Sequence, residues 1–257
     1  RPDLATSSPQ ADLEDDPRST GGFAVRLGFE SVRAIALDTA EGIVAERDAH
    51  GAFRSIDDLA RRVPALTSTQ MEALATAGAF ACFDVDRREA LWSAGAAAQQ
   101  RPDQLPGVVV GIHAPRLPGM EPIEETIADL WATGITPEGY PTEHLRQRLT
   151  ELGVTTAAGL AGRTDGDRVL VAGVVTHRQR PMTARGTTFA NLEDETGLVN
   201  ILISRGCWQH FRSIARSPAL LIRGQLQRAD GAINVIADNL APLHLPTGAF
   251  HTSRDFR

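Results

Sequence analysis

The 257-residue sequence contains no lysine; all 26 of its basic residues are arginine. A guanidinium forks onto phosphate or carboxylate, but so complete a bias reads as GC-rich coding and is given no functional weight. Cysteine is nearly absent as well. Cys82 and Cys207 stand far apart, and neither has Cys or His neighbours at zinc-ligand spacing. That excludes a zinc site and fits two reduced thiols in a cytoplasmic protein. No apolar run reaches the length of a membrane span and no secretory signal opens the chain, so no membrane partner is expected. It opens Arg1-Pro2-Asp3 without a Met, which reads as a piece cut from a longer polypeptide. Aromatic residues make up 5% of the chain, so platforms for stacking are few. Catalytic constellations are missing too. Asp15-Asp16 lies in a Pro/Gly-flanked stretch and Glu193-Asp194-Glu195 reads as a hairpin tip, both solvated turns in this reading. Neither offers the paired-metal arrangement of phosphoryl transfer, and no nucleophile–base pair is evident. The segment is read as noncatalytic, with no cofactor or metal of its own.

What is present is a run of five strand-like stretches: 168–176 (RVLVAGVVT), 187–192 (TTFANL), 198–204 (LVNILIS), 219–226 (ALLIRGQL) and 234–240 (NVIADNL). The first, third and fourth are rich in Val, Ile and Leu. Glu193 to Gly197 fits a tight hairpin in which the Gly supplies a positive φ. Residues 207–215 have helical spacing, with Trp208, Phe211 and Ile214 three apart and placed to plug a barrel end. A β-β-β-α-β-β order in under a hundred residues predicts a five-stranded OB-fold barrel, whose face and loops commonly hold oligonucleotides.

The charge divides to match. Residues 1–162 hold 14 Arg against 24 acidic residues, a balance of −10, while 163–257 hold 12 Arg against 8, a balance of +4. Positive charge therefore sits on the barrel, where phosphate contact needs it. Ahead of it, residues 1–22 read as an acidic loop or tail. Residues 23–98 alternate short helices with turns: 31–47 behind Ser31, a second helix opened by Ser55 with Asp57 and Asp58 in its first turn, 69–77 capped by Thr67 or Ser68, and 87–97. Such a series fits tandem helix–hairpin–helix units or an ordinary helical bundle. A Pro/Gly-rich connection with short helices (99–162), the barrel (163–246) and a tail (247–257) complete a multidomain α+β chain.

Candidate nucleic-acid contacts follow from that layout. Arg178, Arg180 and Arg185 surround the first barrel loop, Phe189 is the best base-stacking platform, Arg228 belongs to the second loop at 228–232, and Arg223 adds charge from the fourth strand if its side chain faces outward. In the helical part, the Gly78-Ala79-Phe80 turn keeps one glycine, with Arg87 and Arg88 close downstream, and is the better backbone site of the two hairpins. A phosphate-binding hairpin needs Gly-hydrophobic-Gly so that the backbone can come close; here the corresponding stretch is Ala34-Ile35-Ala36, whose Cβ atoms hinder that approach.

The stretches VAGVVTHRQRPMTARGTTFANLEDETGLVNILIS (171–204), LATAGAFACFDVDRREALW (74–92) and SRDFR (253–257) resemble the C-terminal region of bacterial error-prone DNA polymerases of the ImuC type, relatives of the replicative polymerase III α subunit. The resemblance implies a helix–hairpin–helix region before an OB domain, and a role in translesion synthesis in the cytoplasm. It also implies Mg2+ for a parent polymerase whose palm and PHP domains do not fit in this length. The partners it implies are single-stranded template DNA, an inactive Y-family-like homologue (ImuB-like) and a RecA-like accessory protein (ImuA-type). A sliding-clamp peptide would fall at 104–108 (QLPGV), but Pro, Gly and Val fill a clamp pocket poorly, so the clamp is expected only indirectly. Two functions remain open: weak single-strand binding by the barrel, and protein docking with no significant DNA binding, which the acidic half favours.

Overall fold

The computed structural model describes residues 1–97, 117–229, 231–245 and the backbone of 254–256. The chain divides into two compact units, Arg1–Pro137 and Glu138–Arg257.

The first unit begins with a two-stranded antiparallel ribbon, β1 (Asp12–Asp15) and β2 (Phe23–Arg26), with Leu13 opposite Val25 and Asp15 opposite Phe23. The helices α1 (Leu37–His50), α2 (Ile56–Arg62), α3 (Ser68–Thr76), α4 (Arg87–Ala97) and α5 (Pro122–Thr133) follow. Phe29, Ile43, Leu59, Met71, Leu74 and Phe80 fill their shared core. The caps lie where side chains can make them. Ser55 Oγ accepts from the Asp58 N–H at 3.0 Å, and Thr67 and Gln70 form a reciprocal capping box.

Two expectations are corrected in this unit. Residues 1–22 are not a loose tail: Leu4 is buried in the core, its N–H donates to Ala79 O at 2.9 Å, and 12–15 form a strand. One leucine among polar neighbours was the sole sign of that anchor. The first long helix starts at Leu37 rather than near Ser31, because a turn at 32–36 intervenes and Ala34 adopts φ 64°. An L-residue in that region costs about 1–2 kcal/mol. Ala34→Gly is therefore expected to stabilise the unit by roughly 1 kcal/mol once glycine's extra chain entropy is subtracted. A thermal melt checks it, and a lower midpoint would contradict it.

The second unit opens with α6 (Arg146–Glu151) and continues into a closed barrel of five strands. These are β3 (Arg168–Gln179), β4 (Thr188–Asp194), β5 (Gly197–Ile203), β6 (Ala219–Ala229) and β7 (Ala232–Pro242). The strands run in the order β4-β5-β7-β6-β3, and β3 closes back on β4. All pairs are antiparallel except β5–β7, and β8 (Arg254–Phe256) adds a parallel pairing at the end of β3. The 12-residue β3 serves both sides of the closure, pairing with β6 through its first half and with β4 through its second, with an irregularity between Val175 and His177. Gly173 permits that crossing, since a Cβ there would stand 2.5 Å from Glu193 O. Val171, Leu192, Ile201, Ile203, Leu220, Ile222 and Val235 fill the interior. α7 (Arg205–His210) and the turn after it pack Trp208 and Phe211 against that core, the plug expected from their spacing.

The acidic hairpin tip is an anchor rather than a solvated turn. Asp194 is buried and accepts from the N–H groups of Ala157 (2.8 Å), Thr196 (2.7 Å) and Gly197 (3.1 Å), with Gly197 at φ 143°. Glu195 accepts from the Arg146 guanidinium of α6 at 2.5 and 2.8 Å and from Thr142 Oγ1 at 2.6 Å. Partial burial pushes the Glu195 carboxyl up, but the hydrogen bonds from Arg146 and Thr142 outweigh it and hold the group below its ordinary value. A depressed folded-state value contributes stability above the unfolded carboxylate range that is lost as pH falls through the folded value. The barrel should thus lose stability on acidification below about pH 4.5, and Glu195→Gln should remove part of that dependence. Identical acid titrations of the two proteins would contradict this.

Candidate nucleic-acid interface

The β3–β4 connection is preformed. Pro181 sets its backbone, Ala184 N–H donates to Pro181 O at 3.1 Å, and Thr187 N–H donates to Ala184 O at 2.9 Å. Arg180 and Arg185 project from it, exposed, and neither has a carboxylate partner among the described residues. Gly186 follows at φ 86°; a Cβ there would lie 3.3 Å from Arg180 Nη2 and 3.2 Å from Arg205 Cδ. Two arginines from different elements thus converge over one glycine, and a third leaves the backbone beside it. Arg205 arrives because Thr188 pairs with Ile203, so the chain leaving β5 passes the start of β4. Ser204 then caps α7 by accepting from Cys207 N–H at 3.2 Å, leaving Arg205 exposed at the first helical position. Arg205 was not among the sequence candidates; the signal was its place directly after a cap that ends a strand paired with the loop-bearing one.

Beside this cluster begins the outward face of the barrel. Phe189, 40% exposed, pairs with Leu202, and Leu202 pairs with Ile236, 37% exposed, so three apolar side chains line up across β4, β5 and β7. The next outward row is Asn191, Asn200 and Asn234. Guanidiniums at one end of these strands, beside an uncharged, partly apolar pair of rows, form an arrangement able to hold a phosphodiester with its bases turned onto the sheet.

The remaining sequence candidates are committed elsewhere. Arg178 is a strand residue rather than a loop residue, because β3 runs on to Gln179; its side chain is 5% exposed and its guanidinium donates to Ser217 O. Arg223 pairs with Asp238 at 2.7 Å, which also takes Arg168 at 3.0 Å. Arg228 is a strap, its guanidinium donating to the carbonyls of Leu160, Ala161 and Arg163 and its N–H to Asp165. Arg87 is buried against Asp129 at 3.0 Å and donates to Glu125 O at 3.2 Å; Arg88 holds Glu124 at 2.7 Å.

Among the described residues the two helical hairpins differ: the Gly78 turn commits its N–H groups within the fold, and the first turn of α1 carries no side-chain cap. At the Gly78 turn, the N–H groups of Gly78 and Ala79 donate to Ala75 and Leu74, and Phe80 is buried. Gly78 sits at φ 76°, a left-handed conformation that favours glycine, and the tip of Arg87 lies beside it. At the 34–36 turn, Gln70 donates to Ala34 O at 3.1 Å, and the Asp38 carboxylate accepts from Thr39 N–H in the first turn of α1. A carboxylate there occupies the electrostatic position a phosphate would need.

No group of three His, Cys, Asp or Glu suited to a metal ion occurs among the described residues, and no helix among them is long and apolar enough to cross a membrane. Burial pushes both cysteine thiols up, away from reactive thiolate. The clamp-like stretch at 104–108 lies outside the described residues.

Comparison with known proteins bears on this arrangement. Residues 1–90 match the family model of the helix-hairpin-helix motif. The error-prone DNA polymerase of Mycolicibacterium paratuberculosis is 55% identical over 257 residues, all of this chain and 23% of its own length. Those of Mycobacterium tuberculosis H37Rv (56% over 237 residues, 92% of this chain and 21% of theirs) and Corynebacterium glutamicum (47% over 235 residues, 91% and 22%) follow. Along its whole length the chain is similar to a C-terminal segment of bacterial error-prone DNA polymerases. It spans about a fifth of the length of these relatives. Among solved structures, asparaginyl-tRNA synthetase from Pyrococcus horikoshii matches 36% of this chain and 23% of its own at 19% identity with a TM-score of 0.31, and the S. pombe Stn1-Ten1 complex matches 31% and 60% at 16% identity with a TM-score of 0.26. Likeness at those scores carries no further argument.

Proposed function

We propose that this segment is a noncatalytic template-holding module of an error-prone DNA polymerase, with the barrel binding single-stranded DNA. The observation that carries the reading is the convergence of Arg180 and Arg205 over Gly186, with Arg185 alongside, at the edge of the Phe189–Leu202–Ile236 row. Phosphates would lie against the guanidiniums and bases over the row, and with Phe189 the one aromatic platform there the affinity would be modest and salt-sensitive. Anisotropy titration with oligothymidine and with a duplex of equal length tests it. Tighter binding of the single strand is expected; equal or absent binding of both would sink the reading.

A second reading, protein docking by the helical unit, is favoured by a specific surface. Leu13, Val25 and Phe23 are 71%, 61% and 55% exposed on one face of the β1–β2 ribbon, and Asp15, opposite Phe23 on that face, has no partner among the described residues. An isolated two-stranded ribbon is marginal on its own, and an apolar face bearing an unpaired carboxylate suits a basic, apolar partner. The ImuB-like and ImuA-type proteins implied by the resemblance are the partners to try. Leu13→Ser/Val25→Ser should abolish co-purification if the ribbon docks them; intact complexes would exclude it.

A further inference from the structure

We propose that a row of side-chain amides on the outward face of the barrel hydrogen-bonds the edges of unpaired bases, so that the site takes the bases of a single strand and not its backbone alone. The inference rests on the reading of the barrel as a single-strand holder. Asn191 on β4 pairs with Asn200 on β5, Asn200 with Asn234 on β7, and Asn234 with Gln227 on β6. Residues paired in register share a face, so four amides cross four neighbouring strands in one line. Asparagine is disfavoured in strands, and departures from local preference of this kind gather at functional positions. The amides of Asn191, Asn234 and Gln227 make no hydrogen bond to any described residue, and Asn200 makes one weak bond, donating to Ile233 O at 3.4 Å. Each amide offers a donor and an acceptor, so it can meet the edge of any base. The row carries no charge, so a phosphate gains no ion pair there. Two residues along a strand span about 7 Å, so a base resting on Phe189 turns its edge toward Asn191.

The test uses the 257-residue chain and two oligonucleotides: oligothymidine, and the same strand carrying difluorotoluene, which keeps thymine's shape but lacks its strong hydrogen-bonding edge. The unsubstituted protein is expected to favour thymine by roughly 5- to 20-fold. Asn191→Ala/Asn200→Ala/Asn234→Ala, which leaves Gln227 of the row, should lose most of that preference while keeping the same salt dependence. Asn191→Ala/Asn234→Ala, which leaves the Asn200–Ile233 bond in place, should lose most of the preference if the triple variant folds poorly. A preference that survives in the variants, or that is missing in the unsubstituted protein, overturns the amide row and leaves single-strand binding standing. Failure of the unsubstituted protein to bind either strand overturns both.

Discussion

Replacing Arg180, Arg185 and Arg205 together with alanine is expected to weaken single-strand binding by roughly 10- to 100-fold at low salt. The reason is electrostatic. Each phosphate held by a cation releases condensed counterions, and the affinity of a single strand falls with salt by a slope of about −0.7 per neutralised phosphate. A strand deprived of three guanidiniums should therefore show a slope flatter by about 2. The substitutions are safe for the fold, because none of the three side chains has a carboxylate partner among the described residues and all are exposed. Arg223→Ala is the matched control: its guanidinium is already held by Asp238, so removing it should change binding little. An unchanged salt slope in the triple variant would remove the cluster from the interface. A large loss in the control would place the strand on the β6 side instead.

Arg87→Ala is expected to destabilise the helical unit by about 3–5 kcal/mol, the range seen when one partner of a buried ion pair is removed. The Asp129 side chain it leaves behind is 2% exposed and, among the described residues, keeps only Arg1 as an ionic partner, which is itself partly in solvent. Truncation also strips the hydrogen bond to Glu125 O and opens space against Gly78. A loss of that size is a large share of the roughly 5–15 kcal/mol typical of a domain. Thermal or urea unfolding of the single variant and of Arg87→Ala/Asp129→Ala measures it, with the double variant expected to recover part of the loss. A stable Arg87→Ala protein with weakened DNA binding would instead return Arg87 to the role its sequence position suggested.

The contrast between these two sets of arginines shows how far the sequence could be read. The barrel was legible because the Val/Ile/Leu runs, the Gly197 turn and the Trp208–Phe211 spacing are all local signals of the same architecture. Ser55 and Thr67 were legible as caps for the same reason. Which arginines are free was not, because that depends on what lies opposite. Arg178 and Arg180 are two residues apart, yet Arg178 is buried against Ser217 O where β3 extends to Gln179, and Arg180 escapes with the loop. Arg228 looked like a loop cation, and its carbonyl partners at 160–163 are more than sixty residues away. Arg205 was overlooked because only the β4–β5 register brings it to Gly186. The amide row likewise needs the parallel β5–β7 pairing, which no local pattern announces. At 34–36, alanines stand where a phosphate-binding hairpin has glycines, and the Asp38 carboxylate lies in the first turn of α1.

The most direct test of strand binding by the barrel is an amide-resonance titration of the isotopically labelled chain with oligothymidine. The largest shifts are expected at Gly186, Phe189, Leu202 and Arg205, with Asn191, Asn200 and Asn234 following and the helical unit unmoved. Shifts confined to residues 1–137, or none at saturating oligonucleotide, would contradict the claim that the barrel holds the strand.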